Sequence, residues 1–246
     1  MRDDTYESFA WKISRKQHAP GEPEETPETP QHSLRLAILI SGSGSNLQAL
    51  IDAIENKQLS GVEIALVVSN NAHAYGVQRA LKHNVPVIYL PWVRLAGTLS
   101  GEMSESEVKL TALLQLFRVE LIVLAGWMRI LSAAFLEQFP QQVINLHPAL
   151  LPDEGTGHIY TTQDGSQIPV FRGLHAVKQA LDADVKVTGS TVHYVTPEVD
   201  AGPVICREEV AIMPGDTEES LHERLKTVEH RLIVEAVRTL SQKSIN

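Results

Sequence analysis

The sequence has one cysteine, Cys206, in 246 residues, so an intrachain disulfide framework is excluded and a reducing cytoplasm is expected. It has no apolar run of membrane-spanning length, and its first ten residues lack the apolar centre of a signal peptide. It also lacks an excess of positive charge, because its formal net charge is −9. That balance argues against a general nucleic-acid-binding surface. We therefore expect small-molecule substrates as partners, with no nucleic acid and no membrane.

The histidines lack the close, paired spacing of familiar zinc sites. His147, His158, His175 and His193 are scattered along the second half of the chain. We therefore expect no metal.

A glycine loop, SGSGSN at residues 41–46, lies between an apolar run and a helical pattern. The dinucleotide-binding fingerprint is incomplete at two positions. Leu47 replaces the third glycine, and the second apolar run ends in Ser69-Asn70 instead of the acidic residue that would bind a ribose. The P-loop's Lys-Ser/Thr pair is also missing. Glycines at a helix N-terminus still suit one monophosphate, and the alternative is a tight turn that binds nothing.

The amino-acid composition changes near residue 33, from polar and proline-rich to richer in apolar residues. Residues 1–33 contain the acidic, proline-rich run GEPEETPETP and predict a disordered tail. From Leu34, apolar runs of strand length alternate with helical patterns, which is typical of a parallel sheet covered by helices on both faces. The runs TGSTVHYV and PVICREEVAI have no helix between them, so a mixed C-terminal section is expected. The prediction is one α/β domain over residues 34–246.

The last part of the chain predicts a long amphipathic helix. Asp216 with Glu219 three residues later resembles a capping box. One apolar face is expected, formed by Leu221, Leu225, Val228 and Leu232.

The stretch VINLHPALLP, residues 143–152, places an amide and an imidazole at the end of an apolar run. Ligands of open parallel sheets bind beyond the carboxyl ends of the strands, so Asn145 and His147 are expected to point into one cleft. Pro148 ends the strand. An amide N–H suits an oxyanion, and the imidazole is a donor or a base according to its charge. The motif contains no Ser or Cys, so no covalent intermediate is indicated; the alternative is a polar pair that fixes a turn.

Two later residues are candidate partners for that pair. Asp200 lies in a loop marked by Pro197 and Gly202, and a carboxylate beside an imidazole raises its pKa. The alternative is an ordinary turn aspartate. His193 shares a predicted strand face with Thr191 and is either a partner or a packed side chain.

Several blocks, in this order, resemble the phosphoribosylglycinamide formyltransferases, the folate-dependent glycinamide ribonucleotide transformylases, from Leu34 to about Leu240. The blocks are ILISGSGSNLQALIDA, VVSN, LAGWMRIL, NLHPALLP, GLHAVKQAL, GSTVHYVTPEVDAGPVI and VEHRL. The resemblance implies a Rossmann-like formyltransferase fold. It also implies transfer of a formyl group from 10-formyltetrahydrofolate, a co-substrate, to the amine of glycinamide ribonucleotide in purine synthesis, without a metal.

The resemblance assigns roles to individual residues. Asn145, His147 and Asp200 match the catalytic trio: the amine attacks the formyl carbon, Asn145 and protonated His147 stabilise the oxyanion, and Asp200 keeps His147 charged. His175 and His193 match supporting histidines. The segments expected to bind the phosphate and ribose of the substrate are Gly42, Ser43, Gly44, Ser45, Asn46, Lys226, Thr227, Val228 and Glu229. Those expected to line the folate pocket are Met128, Arg129, Ile130, Leu131, Thr196, Pro197, Glu198 and Val199.

The sequence departs from this family pattern at two places. Residues 153–169 form an insert between the LLP and GLH motifs, with a hairpin tip predicted at Asp164-Gly165; it is either a flap over the cleft or a passive surface loop. Relatives often carry an arginine and a Tyr-Asp pair around Met103, where this chain reads EMSESE. Recognition of the donor's polar tail is therefore open, with Lys109 as one candidate substitute.

Three rival functions stay open. Methionyl-tRNA formyltransferase adds a C-terminal nucleic-acid-binding barrel, and formyltetrahydrofolate hydrolase adds an N-terminal regulatory domain; this sequence offers residues for neither. The third rival is a non-catalytic small-molecule-binding relative. The oligomeric state is expected to be a monomer or a homodimer.

Overall fold

The computed structural model describes residues 33–93 and 102–244, and its elements follow the predicted alternation of strands and helices. The strands are β1 (Leu34–Ile40), β2 (Val62–Ser69), β3 (Val87–Tyr89), β4 (Leu121–Leu124), β5 (Val143–His147), β6 (Ile159–Thr161), β7 (Gln167–Pro169), β8 (Val187–Tyr194) and β9 (Val204–Ala211). The helices are α1 (Ser45–Glu55), α2 (Tyr75–Lys82), α3 (Glu105–Leu116), α4 (Ala133–Gln138), α5 (Ala176–Asp182) and α6 (Glu218–Ser244).

Seven strands form one sheet in the order β3-β2-β1-β4-β5-β8-β9. The pairs among the first five strands of that order are parallel, whereas β8 is antiparallel to both β5 and β9. This order brings the carboxyl ends of β1, β4 and β5 to one edge, where the glycine loop follows β1 and where Asn145 and His147 lie in the last three residues of β5. The predicted α/β fold with a mixed C-terminal section is confirmed.

The sheet is buried on both faces because the side chains of a strand alternate between them. In β1, Leu36, Ile38 and Ile40 pack toward α1 and α6, while Ala37 and Leu39 pack toward α3 and α4. All five side chains are fully buried. A near-continuous apolar run such as β1 therefore has no solvent face, as the sequence predicts.

Helix α6 begins one residue away from the predicted cap. Thr217 and Ser220 exchange side-chain and backbone hydrogen bonds (Ser220 N to Thr217 Oγ1, 3.2 Å; Thr217 N to Ser220 Oγ, 2.9 Å). Asp216 instead accepts a hydrogen bond from Met213 N (2.7 Å). The predicted pairing of Asp216 with Glu219 is therefore wrong. Both Asp216 and Thr217 are residue types that cap helices well, and here Thr217 makes the capping hydrogen bonds. The apolar face is confirmed and buried, with Leu221, Leu225, Val228 and Leu232.

A capping box begins α3. Ser104 Oγ accepts from Glu107 N (3.2 Å), and Glu107 Oε2 accepts from Ser104 N (2.7 Å). The second oxygen of Glu107 accepts from Ser132 N (2.6 Å). Ser132 is itself the N-cap of α4, so the buried Glu107 carboxylate fixes the chain just after the segment Met128–Leu131.

The insert folds into the β6–β7 hairpin, with Asp164-Gly165 at its tip as predicted. Tyr160 and Ile168 pack with Leu150 in a small apolar cluster. The hydroxyl of Tyr160 donates to Glu209 of β9 (3.1 Å). The hairpin is thus attached to the sheet, and its role as a flap stays a prediction.

The predicted disordered tail, residues 1–33, lies almost wholly outside the described residues. Within the described ranges, no helix combines the length and apolar character needed to cross a membrane.

Candidate active site

Asn145 and His147 lie on one face of β5, two residues apart. They pair across the ladder with His193 and Thr191 of β8, which brings the second histidine beside Asn145. His147 is 3% exposed and His193 is 2% exposed, so both imidazoles are removed from bulk water. The strand ends at His147, immediately before Pro148, as expected from the missing proline donor.

Asp200 lies at the centre of this polar cluster. Its Oδ1 is 3.4 Å from Asn145 Nδ2 and 3.5 Å from His193 Nε2, and its Oδ2 is 3.4 Å from His147 Nδ1. The backbone N–H of Gly173 donates to Oδ2 at 2.8 Å. The structure thus brings together Asn145, His147 and Asp200, which lie up to 55 positions apart in the sequence.

The carboxyl of Asp200 is held in its ionised form. Burial alone raises its pKa, but hydrogen bonding with His193, the charge of His147 and the Gly173 N–H together lower the pKa to about 2. A carboxylate surrounded by donors and cations is stabilised in its charged form.

Burial lowers the pKa of His147, and this effect outweighs the raising effects of Asp200 and of the Phe171 carbonyl. The expectation that Asp200 keeps His147 charged stays a prediction, because Asp200 favours the charged imidazole and burial opposes it. Both ring nitrogens nevertheless face oxygen acceptors, since Nε2 is 2.8 Å from Phe171 O and Nδ1 faces Asp200. A neutral imidazole can donate to one of them alone. The contacts favour the imidazolium and burial opposes it, so added negative charge in the cleft would promote protonation.

The glycine loop is held by helix α2. Arg79 Nε donates to Ser43 O (2.9 Å), and Gly76 N donates to Gly42 O (3.1 Å). Gly44 adopts a left-handed conformation (φ +67°), and a Cβ there would lie 2.6 Å from the Cα of Gly76. No side chain caps the start of α1. The first amides of α1 are therefore left for an anion, which a helix N-terminus favours.

Helix α6 places residues predicted to bind the substrate next to the glycine loop. Asn46 Nδ2 donates to Glu229 Oε2 (3.4 Å), and both residues are buried. Burial raises the pKa of the Glu229 carboxyl. One turn earlier, Lys226 is half-buried and Thr227 is exposed at the surface. Val228 faces the core instead of the cleft.

The segments assigned to the folate pocket are largely exposed. Met128 is 52% exposed and Ile130 66% exposed, while Leu131 is buried. The backbone N–H of Met128 donates to Ser41 Oγ (2.9 Å), which ties this segment to the end of β1. Val199, next to Asp200, is 45% exposed. An apolar ring system can cover such side chains.

The remaining predicted residues of these segments differ in their surroundings. Thr196 Oγ1 donates to Glu198 O (3.1 Å) within an exposed turn. His175 is exposed at the N-terminus of α5, and the hydrogen bonds of the buried cluster are made by other residues. Lys109, the candidate for the donor's tail, forms an ion pair with Glu105 (2.6 Å) on the surface of α3.

Sequence reasoning missed Phe171 and Arg172, which precede the GLH motif. The carbonyl of Phe171 contacts His147, and Arg172 Nε donates to the backbone carbonyl of Asp200 (2.9 Å). Their position directly before a motif with a glycine was the available signal. Among the described residues, no group of three His, Cys, Asp or Glu side chains is arranged to hold a metal ion.

Known proteins similar to this chain identify its family. The chain matches the family described as formyl transferase over residues 34–161 and 164–237. It is 39% identical to the phosphoribosylglycinamide formyltransferase of Dictyostelium discoideum over 223 residues, which cover 86% of this chain and 100% of that protein. It is also similar to glycinamide ribonucleotide transformylase 1 of Symbiobacterium toebii, with a TM-score of 0.72 and 36% identity, covering 86% of this chain and 89% of that one.

Longer relatives contain a matching segment. The trifunctional purine biosynthetic protein adenosine-3 of Gallus gallus is 38% identical over 214 residues, which cover 87% of this chain. The chain spans 19% of the length of that protein. It therefore corresponds to one segment of this trifunctional relative.

Proposed function

The chain belongs to the formyl transferase family, and from this premise we propose that it transfers the formyl group of 10-formyltetrahydrofolate to the amine of glycinamide ribonucleotide. The observation that carries the proposal is the cluster of Asn145, His147 and Asp200 at the end of β5. It supplies an amide donor, an imidazole and a carboxylate around one point, at the edge of the sheet where the glycine loop also lies. The proposed substrates are two small molecules, and a single cysteine suits work in the reducing cytoplasm.

The reaction proposed for this site is a direct attack. The amine nitrogen of the ribonucleotide bonds to the formyl carbon, and the carbonyl electron pair moves to oxygen. Asn145 and the imidazolium of His147 donate hydrogen bonds to that oxyanion. The imidazolium donates through Nδ1, whose contact with Asp200 is 3.4 Å, because Nε2 faces Phe171 O at 2.8 Å. Collapse of the intermediate breaks the bond between the formyl carbon and the folate nitrogen, and the proton lost by the amine is delivered to that nitrogen.

The electrostatics of the cluster fit this sequence of events. Burial lowers the pKa of His147, so its neutral form is favoured before the oxyanion appears. The developing negative charge then raises the pKa of the imidazole and makes it a better donor. Asp200, with its pKa near 2, stays ionised through the cycle and supports the positive ring.

The two substrates are assigned to opposite ends of the cleft. We place the phosphate at the amides of residues 42–46 and the ribose beside Glu229, because α1 and α6 meet there. We place the folate ring against the exposed apolar side chains of Met128, Ile130 and Val199. A monomer suffices for this arrangement, and a homodimer is compatible with it.

Turnover is the direct test. Purified full-length protein is mixed with glycinamide ribonucleotide and 10-formyltetrahydrofolate, and formylated product is followed by mass spectrometry. His147→Ala and Asp200→Ala should abolish turnover while circular dichroism shows an intact fold. Normal turnover in both variants would contradict the assigned roles.

The same assay separates the rival functions. A hydrolase would release formate when the ribonucleotide is omitted, whereas a non-catalytic relative would bind ligands without forming product. The glycine loop favours the transferase, because water as acceptor needs no phosphate site.

A further inference from the structure

Arg172 joins the insert to the candidate active site through one guanidinium group. Its Nε donates to the backbone carbonyl of Asp200 (2.9 Å). Its Nη2 donates to the carbonyls of Gly155 (2.7 Å) and Gly157 (2.9 Å) in the insert. The planar guanidinium has donors fixed in a fork, so it sets the distance between the two loops that it contacts.

The first turn of the insert lies directly against the chain that follows Asp200. A Cβ added at Gly155 would lie 2.1 Å from the carbonyl oxygen of Gly202 and 2.4 Å from that of Ala201. Beyond it, Val204 N donates to Asp153 O (2.9 Å). Residues 153–157 therefore have a fixed position relative to the loop that carries Asp200.

Asp200 needs such support because of its backbone. Its φ is +50°, in the left-handed region, which aspartate enters more readily than most residues but at a cost relative to the right-handed region. Conformations of this kind persist where the surrounding contacts impose them. For Asp200 those contacts come from Arg172, from Gly173 N–H and from the histidines.

We propose that the insert is a positioning element for formyl transfer: residues 153–157, joined to Arg172, hold Asp200 in the conformation that directs its carboxylate at His147. The proposal rests on the proposed function for its effect on turnover. Arg172 acts through Asp200 and is therefore a positioning residue. The β6–β7 hairpin is the outer part of the insert and lies outside this element, attached to β9 through Tyr160 and Glu209.

Charge and position can be separated experimentally. The titratable and charged groups that face His147 are Asp200, which raises its pKa, and His193 and Arg172, which lower it. Arg172→Lys keeps the positive charge but loses the fork of donors. Arg172→Gln loses both. A purely electrostatic role predicts no change in the first variant and a rise in the His147 pKa in the second.

The first measurement is the titration of His147 by NMR in the full-length protein, with the signal assigned by loss in His147→Gln. We expect Arg172→Lys to lower the His147 pKa, because Asp200 moves away. The same variant should lower kcat for formyl transfer about 10- to 100-fold, with KM for the ribonucleotide nearly unchanged. Arg35→Lys is the matched control, since Arg35 also donates from Nε to a backbone carbonyl (Phe117 O, 2.9 Å) but lies at the amino end of β1, away from the candidate active site. It should leave both the titration and kcat as in the wild type.

A second pair of variants tests the insert itself. Gly155 and Gly165 both have left-handed backbones (φ +75° and +86°), but a Cβ at Gly165 would meet nothing within 4 Å. An alanine therefore strains the backbone at either position, but only the alanine at residue 155 displaces the loop that carries Asp200. We expect Gly155→Ala to lower kcat and the His147 pKa, and Gly165→Ala to lower thermal stability without either effect.

The outcomes decide between positioning and mere structural support. A lower melting temperature with an unchanged His147 titration in Arg172→Lys and Gly155→Ala would overturn the proposal. The titration requires no turnover, so it tests the positioning role separately from the proposed function. If the wild-type protein shows no formyl transfer, the proposed function is contradicted. If Arg172→Lys still shifts the His147 pKa in that case, the positioning role is supported.

Discussion

The amide of Asn46 donates a hydrogen bond of 3.4 Å to the carboxylate of Glu229, 183 positions later in the chain. This contact joins the end of the glycine loop to the middle of α6. The Oδ1 atom of Asn46 is buried and has no hydrogen-bond partner among the described residues. A buried acceptor beside a buried carboxylate is the pair that substrate hydroxyl groups would satisfy.

Glu229 is expected to reduce stability in return for binding. Burial raises its pKa in the folded protein. A carboxyl whose pKa is higher when folded destabilises the fold as pH rises above the unfolded value of about 4.3, because ionisation then occurs in a buried place. We expect Glu229→Gln to melt at a higher temperature than the wild type at pH 8 and to lose this advantage near pH 4. We also expect a higher KM for the ribonucleotide.

Thermal melts at the two pH values, with initial rates, check this prediction. Glu235→Gln, at an exposed glutamate of the same helix, is the control and should change neither quantity. Equal melting of Glu229→Gln and wild type at pH 8 would show that the carboxylate is already compensated without ligand.

The glycine loop can be tested with two matched alanine variants. Gly44 and Gly61 have nearly the same backbone dihedral angle (φ +67° and +71°). A Cβ added at Gly44 would lie 2.6 Å from Gly76 Cα, whereas a Cβ added at Gly61 would meet nothing within 4 Å. Each variant should lose about 1–2 kcal/mol of stability through its left-handed backbone. We expect Gly44→Ala alone to raise KM for the ribonucleotide, by at least about tenfold, since the loop must move from α2. Equal KM values for the two variants would contradict a phosphate site at this loop.

Local patterns in the sequence predicted most of the strands and helices and the fold class. Runs such as β1 and β4 have no polar face, and this predicts a sheet covered on both sides. Asn145 and His147 were predictable because they lie at the end of such a run. The arrangement around Asp200 was not predictable, since it depends on a left-handed backbone and on donors from Arg172 and Gly173. Contacts of this kind arise from loop conformations that residue spacing does not determine.

Asn145 is expected to contribute mainly to the rate. Its amide contacts His193 Nε2 at 3.2 Å and Asp200 Oδ1 at 3.4 Å, distances long enough for an oxyanion to replace either partner. Loss of one oxyanion donor costs about 3 kcal/mol in the barrier, so Asn145→Ala should lower kcat roughly 100- to 1,000-fold. KM for both substrates should change little, as steady-state kinetics will show. A kcat near the wild-type value would remove the amide from the mechanism.

Glu107 and Ser104 belong to one capping box and allow a test of Met128–Leu131, the segment proposed to bind folate. Ser104→Ala removes the cap of α3 and should cost about 1 kcal/mol of stability. Glu107→Ala removes the same box and also the acceptor for Ser132 N, which fixes the chain after Met128–Leu131. We expect both variants to melt earlier, and Glu107→Ala alone to raise KM for 10-formyltetrahydrofolate, with KM for the ribonucleotide unchanged. If both variants bind the donor equally well, the contact with Ser132 stabilises the fold without shaping the folate site.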